Sequence, residues 1–370
     1  MGRRIKMSNN IVKYLVKLTP VGKFFFGGDA TFKVGTDKSE DYDDKYSSYI
    51  IRSFKMPQQT SLLGMMRFLL LSNSDCFDRN KNQIKDVNDP KLSELIGKQS
   101  FAVNEVGDFG YISEIGPCFI MDKTGKAFFR APMDIDLQVD LKESVDAVVN
   151  GEKVKLPDIT KKIKTNVDNH FSGKDYLPER FMAVDGTLAD KNLFIEDVRV
   201  GINRNYTGKT EKEAFYKQIS YRLDGGYSFA FEVSVNGCLD LSNYNNQVVQ
   251  LGADSSSFAF EATPLSADIS YPVTDKEKVV LLSDTYIAKP DAKYAFSITK
   301  TRPFRFLKTT NSADKSAYNV KYNLLRCAER YELFCAGSVF YFSSEEQRTE
   351  FCKLIGNAAE FVKIGYNRYY

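Results

Sequence analysis

The chain has 370 residues, long for one core and ample for two. Its 43% apolar and 27% charged content is that of a soluble globular protein, and no apolar run reaches the roughly 18 residues a membrane span needs. A net charge of +3 is too small to announce nucleic acid by itself, and a single histidine excludes a histidine acid–base pair. The cysteines (Cys76, Cys118, Cys238, Cys327, Cys335, Cys352) are scattered without zinc-ligand spacing, so they read as reduced thiols with no metal or cofactor to hold. Residues 1–10 are basic and polar, with no apolar stretch for a secretory signal. A disordered tail and a cytoplasmic protein are expected.

The first strand falls where Tyr14, Val16 and Leu18 alternate with Leu15, Lys17 and Thr19, before Pro20 and Gly22 break the pattern. Phe24-Phe25-Phe26 then meets Gly27-Gly28, and the acidic segment from Asp37 to Tyr46 reads as a surface loop. Pro57-Gln58-Gln59-Thr60-Ser61 leads into a helix in which Leu62, Met65, Met66, Leu69 and Leu70 form a broad apolar face. Thr60, Gly64, Arg67 and Leu71 fall on one opposite stripe. Thr60 or Ser61 can cap the first turn, leaving free N–H groups suited to phosphate. Glycine inside a helix costs about 1 kcal/mol against alanine, so Gly64 suggests another backbone passing close, with Arg67 beside it to pair with an anion. Close helix packing beside a solvated arginine is the other reading.

Beyond Ser72 the chain is polar to about Pro90 and reads as irregular. Several short strands are expected from Phe101 to Arg130, punctuated by Gly107, Gly110, Gly116 and Gly125. From Val139 to about Phe181 the composition is charged, with a hairpin turn at Val149-Asn150-Gly151-Glu152. The domain boundary is placed here, dividing the chain into residues 11–174 and 175–370. In the second half Tyr227, Phe229, Phe231, Val233 and Val235 alternate as a half-buried strand, and more strands are expected at residues 258–261, 294–299 and 338–342. Ser343 or Ser344, with Glu346 and Gln347 three residues on, forms a capping box for a helix that buries Phe351, Leu354 and Ile355.

Two basic clusters could meet an anionic partner. Along Arg199 to Lys217, Val198, Val200 and Ile202 form one strand face while Arg199 and Asn203 point the other way. The polar tip beyond, with Arg204, Tyr206, Lys209 and Thr210, fits a hairpin lying along a phosphate backbone, Tyr206 or Tyr216 stacking on a base and Lys217 adding charge. An ordinary surface hairpin explains the same residues. The second cluster, Lys300, Arg302, Arg305 and Lys308, contains no acid. Gly208-Lys209-Thr210 is not a phosphate-binding P-loop, because the upstream glycine would fall at Asn203. Gly27 and Gly28 lack dinucleotide spacing but can still present N–H groups to an anion. Catalytic signatures are thin, with no Gly-x-Ser-x-Gly elbow or His-Glu-x-x-His helix, and His170 sits in a polar stretch that reads as loop.

Together, Tyr14 to Pro20 with Phe24 to Gly28, Ser53 to Arg67, Glu196 to Arg204 with Gly208 to Tyr216, Leu251 to Ala253, and Gly337 to Phe342 resemble the third subunit of the Cmr (type III-B) CRISPR effector complex, in the RAMP superfamily. The resemblance spans most of the chain except residues 73–100 and 135–190. It implies an α+β fold of two ferredoxin-like (RRM-related) domains with inserted loops and a β-hairpin thumb. It further implies a non-catalytic protein that binds the repeat-derived 5′ tag of the guide RNA and touches the large polymerase-like subunit and a neighbouring RAMP backbone subunit. The RNA-binding residues expected are Gly27, Gly28, Gln58, Gln59, Thr60, Ser61, Gly64 and Arg67, then Arg199, Asn203, Arg204, Tyr206, Lys209, Thr210, Tyr216 and Lys217, and finally Lys300, Arg302 and Arg305. A metal-independent RNA-processing endoribonuclease using His170 and a protein-only adaptor remain the rivals.

Overall fold

The structure, a computed structural model, describes residues 11–27, 31–35, 46–149, 151–162, 179–204, 207, 210–273, 277–288, 292–309, 324–326 and 329–370. It is a mixed α+β chain, mostly strands. In chain order, β1 (Ile11–Pro20), β2 (Thr31–Gly35) and β3 (Tyr46–Arg52) precede the long helix α1 (Gln59–Ser72). A two-residue pair, β4 (Phe77–Asp78) and β5 (Gln83–Ile84), and the short α2 (Pro90–Ile96) lead to β6 (Ile112–Ile115), β7 (Phe119–Asp122) and β8 (Ala127–Arg130). Two long hairpins follow, β9 (Leu137–Val149) with β10 (Glu152–Lys161) and, after β11 (Phe181–Ala183), β12 (Phe194–Arg204) with β13 (Thr210–Leu223). Next come β14 (Tyr227–Asn236), β15 (Val248–Gln250), β16 (Ser257–Pro264), β17 (Lys278–Val280) and β18 (Phe296–Ile298). The last strands are β19 (Thr301–Phe304), β20 (Leu307–Thr309), β21 (Leu324–Arg326), β22 (Tyr331–Phe334) and β23 (Val339–Tyr341), before α3 (Glu345–Gly356) and α4 (Ala359–Lys363).

The largest sheet has eight strands, seven of them in the order β11-β8-β7-β14-β1-β16-β15, with β6 also pairing β14. Strand alternation divides its two faces. Tyr14, Val16 and Leu18 of β1 and Phe229, Phe231, Val233 and Val235 of β14 point into the main core, whereas Leu15 and Ala230 face a smaller cluster with Phe119, Met121 and Phe129. Helix α1 covers the main face. Its Leu62, Leu63, Met65, Met66, Leu69 and Leu70 are all buried, each contributing roughly 1.5–3 kcal/mol of transfer free energy. Phe24 and Phe26 fill the end of this core, with ring centroids 5.2 and 5.5 Å from Phe229. A three-stranded sheet, β17-β23-β18, packs α3 through Phe340, Phe351 and Ile355.

Ser344 caps α3 by accepting from the Gln347 N–H at 3.3 Å, and Gln347 accepts in return from Ser343 rather than from Ser344. Gly151, at φ +87°, makes the turn of the β9–β10 hairpin, with Val149 opposite Glu152.

β1 hydrogen-bonds to both β14 and β16, and the main core draws on residues from Tyr14 to Tyr366, on both sides of the expected boundary at residues 174/175. One expectation differs. The polar stretch from Ser72 to about Pro90 is not all irregular, since Phe77 pairs Ile84 and Asp78 pairs Gln83 within it, and at its end Asp89 caps α2, which Pro90 opens and Gly97 at φ +71° ends. The tail 1–10, Gly28, residues 37–45 of the expected loop, His170, Tyr206 and Lys209 lie outside the described residues. Among the described residues no helix is long and apolar enough to cross a membrane.

Candidate functional site

The amino-terminal end of α1 is closed by the chain itself. Gln58 is the N-cap and makes no side-chain cap bond, so neither Thr60 nor Ser61 occupies that position. Gln59 is buried and donates from Nε2 to the Gly116 carbonyl at 2.7 Å and the Ile364 carbonyl at 2.8 Å. The Tyr366 hydroxyl lies against Thr60, in a pocket whose burial raises its pKa to about 12. Gln59 therefore ties helix to tail. Arg67 is also spoken for: its Nε donates to the Ile96 carbonyl at 2.7 Å, where it satisfies the carboxy-terminal end of α2. Burial lowers the Arg67 pKa, and the negative charge of Asp108 opposes that shift. A side chain expected to meet an external anion here caps a helix of its own chain. Gly64 is exposed and a Cβ there would touch nothing, so among the described residues no backbone passes close.

The β12–β13 hairpin forms as its sequence indicates, with Gly201 opposite Tyr216 and Val200 opposite Lys217. Arg199 is exposed and Lys217 half-buried. The Tyr216 ring lies across Gly201, where an added Cβ would stand 2.2 Å from it. Val198, Val200 and Ile202 are exposed, an uncovered apolar stripe on the edge strand. Asn203, Arg204 and Thr210 continue the two strands toward the tip.

Elsewhere the basic residues converge. A cavity of about 400 Å³ opens between the segment after β3, the end of β8 and the carboxy-terminal strands, and its described lining includes five basic side chains against two acidic ones. The five are Arg52, Lys55, Arg130, Lys300 and Arg302. Two had been singled out from sequence, Lys300 and Arg302; Arg305 is exposed beyond β19, and Gly27 is exposed beside the core phenylalanines. Aromatic rings lie beneath the charges: the Arg302 guanidinium is 4.8 Å from the centre of Phe54 and that of Arg130 is 5.0 Å from Phe181. Glu179 pairs with Arg130 at 2.9 Å, Lys300 at 3.0 Å and Lys55 at 3.7 Å, while Asp284 pairs with Arg302. Burial alone would raise the Glu179 pKa, but the positive charges, Arg130 foremost, hold it at about 2. Lys55 is pushed down by burial against the pull of Glu179.

Arg52, Lys55, Arg130 and Glu179 were not anticipated. Arg52 and Lys55 flank Ser53-Phe54, but nothing local shows that β3 runs parallel to β13, with Ile219 opposite Arg52, or that Phe26 pairs Phe54. Among the described residues no group of three or more histidines, cysteines or acids is placed to hold a metal. The arrangement suits reversible binding of an anion with a flat, stackable part.

The family of CRISPR-associated proteins designated Cas_Cmr3 matches residues 16–370. The chain belongs to this family. This makes the Cmr3-family chain a subunit of a type III-B CRISPR effector complex. No curated protein matches it. Among solved structures, a chain of type III-B Cmr-beta bound to cognate target RNA is similar at a TM-score of 0.50 and 14% identity, over 96% of this chain and 96% of that one. A chain of Cmr-beta bound to cognate target RNA and AMPPnP gives a TM-score of 0.48 at 13% identity, over 96% and 95%. A chain of the Csm3-Csm4 subcomplex of a type III-A CRISPR-Cas interference complex gives 0.33 at 10% identity, over 89% and 92%. The first of these likenesses concerns fold alone.

Proposed function

We propose that this Cmr3-family chain is the non-catalytic RNA-binding subunit that caps the 5′ repeat-derived tag of the guide RNA in the cytoplasm. It would bridge the large polymerase-like subunit to a neighbouring RAMP backbone subunit in antiviral defence. We read the fold as two ferredoxin-like, RRM-related halves sharing strands, with the β12–β13 hairpin as a thumb. The observation that carries the RNA reading is the cavity, where five cations from segments distant in sequence meet over aromatic rings. Phosphate oxygens need the charge and unpaired bases need the flat faces. Arg199, Tyr216 and Lys217, with Asn203, Arg204 and Thr210 toward the tip, would lie along the same RNA strand, and Tyr206 and Lys209 are proposed as RNA-binding residues with them. Gly64, exposed and uncrowded, leaves room for an external backbone, and Gln58, Thr60 and Ser61 stand at the same end of α1.

The test is to copurify the complex through this chain and sequence the bound RNA. Short guides with one uniform 5′ end are expected. Arg199→Ala should weaken binding and reduce the salt slope by about one unit or less. Cleavage of repeat RNA by the purified chain, abolished in His170→Ala, would replace this reading with a processing endoribonuclease. Absence of any crosslink between RNA and Tyr216 or the neighbouring lysines would leave an adaptor between proteins.

A further inference from the structure

We infer that the cavity between Lys55, Arg130 and Lys300 is a phosphoryl-oxygen site whose occupant in the free chain is the chain's own Glu179 carboxylate, displaced when a phosphate-bearing ligand enters. The inference rests on the RNA reading only for the source of that phosphate.

The geometry of Glu179 is that of a bound ligand more than of a surface ion pair. Both carboxylate oxygens are used: Oε1 accepts from Lys300 at 3.0 Å, and Oε2 faces Arg130 at 2.9 Å and Lys55 at 3.7 Å. Three cations from three separate segments thus point at one anion. They come from the strand end at Arg130, the link after β3 at Lys55 and the turn between β18 and β19 at Lys300. A monoanion does not saturate them. Arg130 lines the cavity, and its Nη1 is buried without a hydrogen-bond partner among the described residues. A buried guanidinium donor left unmatched is costly, and a tetrahedral phosphate, with more oxygens than a carboxylate, can accept from it as well.

The room exists beside the carboxylate. The cavity of about 400 Å³ is also lined by Phe54, Phe181 and Tyr221, so a nucleotide-sized group has both a charged end and rings to lie on. Arg302 is not part of the exchange. It stays paired with Asp284 and stacked 4.8 Å from Phe54, which holds that ring in place. A resident carboxylate also gives selectivity. Small anions with a single charge must compete with an internal acid already at the site, whereas a ligand adding stacking and extra oxygens gains what Glu179 cannot supply. The same logic admits an internal phosphodiester of RNA or the phosphate of a free nucleotide.

The test uses the full chain and measures affinity for a short single-stranded RNA, for AMP and for pyrophosphate. Glu179→Gln keeps shape and removes the competing charge, and should tighten binding about tenfold, equivalent to about 1.4 kcal/mol. Glu261→Gln, which neutralises an exposed carboxylate paired with Lys17 elsewhere, should change affinity little. Lys300→Ala, on an exposed side chain, should weaken all ligands that gain from Glu179→Gln. A gain for RNA alone identifies the phosphodiester as the ligand; a gain for AMP as well identifies a nucleotide phosphate. If Glu179→Gln lowers the melting temperature and leaves every affinity unchanged, the cluster is a structural ion-pair network and the inference is overturned, even where guide RNA still copurifies. If AMP and pyrophosphate respond but no guide RNA copurifies, the site stands and the RNA reading falls.

Discussion

Gly365 stands so close to Gln59 that a Cβ on the glycine would lie 1.9 Å from the glutamine Nε2 and 2.4 Å from the Gly116 carbonyl oxygen. The backbone there has φ +88°, a region open to glycine and strained for other residues. Gly365→Ala should therefore destabilise the free chain by about 2–4 kcal/mol, through strain plus loss of the buried amide's bonds. Urea denaturation checks this, and an unchanged midpoint would show that the tail is not locked to α1.

Arg67→Met should lower stability rather than RNA affinity. The guanidinium satisfies the Ile96 carbonyl at the end of α2, so its loss leaves a part-buried acceptor unmet at a cost of about 1–3 kcal/mol. Parallel denaturation and RNA titration separate the two effects. A binding defect with unchanged stability would return Arg67 to the interface.

Gly64 supplies the opposite case. Because a Cβ there meets nothing, Gly64→Ala should stabilise the isolated chain by up to about 1 kcal/mol. A bulky replacement such as Gly64→Leu should leave the isolated chain folded and weaken its association with guide RNA or partner subunits. Equal incorporation of Gly64→Leu into the complex would show that no external backbone lies on this turn.

Acid stability should depend on Glu179. Its folded pKa of about 2 lies below the ordinary value of 4.5, so the stabilisation is present above about pH 4.5 and is lost as pH falls toward 2. Glu179→Gln should flatten that part of the stability profile, measured by thermal melting between pH 2 and 6. A wild-type slope in the variant would move the cause to another carboxylate.

Periodicity made much of this legible. The alternation through Tyr14, Val16 and Leu18, the apolar face of α1, the strand from Tyr227 and the capped α3 all follow from short-range pattern, and all are present. The signals at Asp89, Pro90 and Gly97 were also there, but the polar surroundings of α2 hid them. Arg67 shows a different limit: its spacing gives a face of the helix, and only the packing of α2 shows what meets that face. The cavity lay beyond local reading altogether. Its cations sit on segments brought together by a parallel pairing of β3 with β13 and by strands from both ends of the chain, and long-range register is written in no single stretch of sequence.

The central place of β1 has a consequence for synthesis. Its neighbours β14 and β16 emerge from the ribosome long after it does, so an apolar strand with two open edges must wait for more than half the polypeptide. A nascent fragment ending near residue 174 would expose that strand, need a chaperone or aggregate, and fail to fold alone.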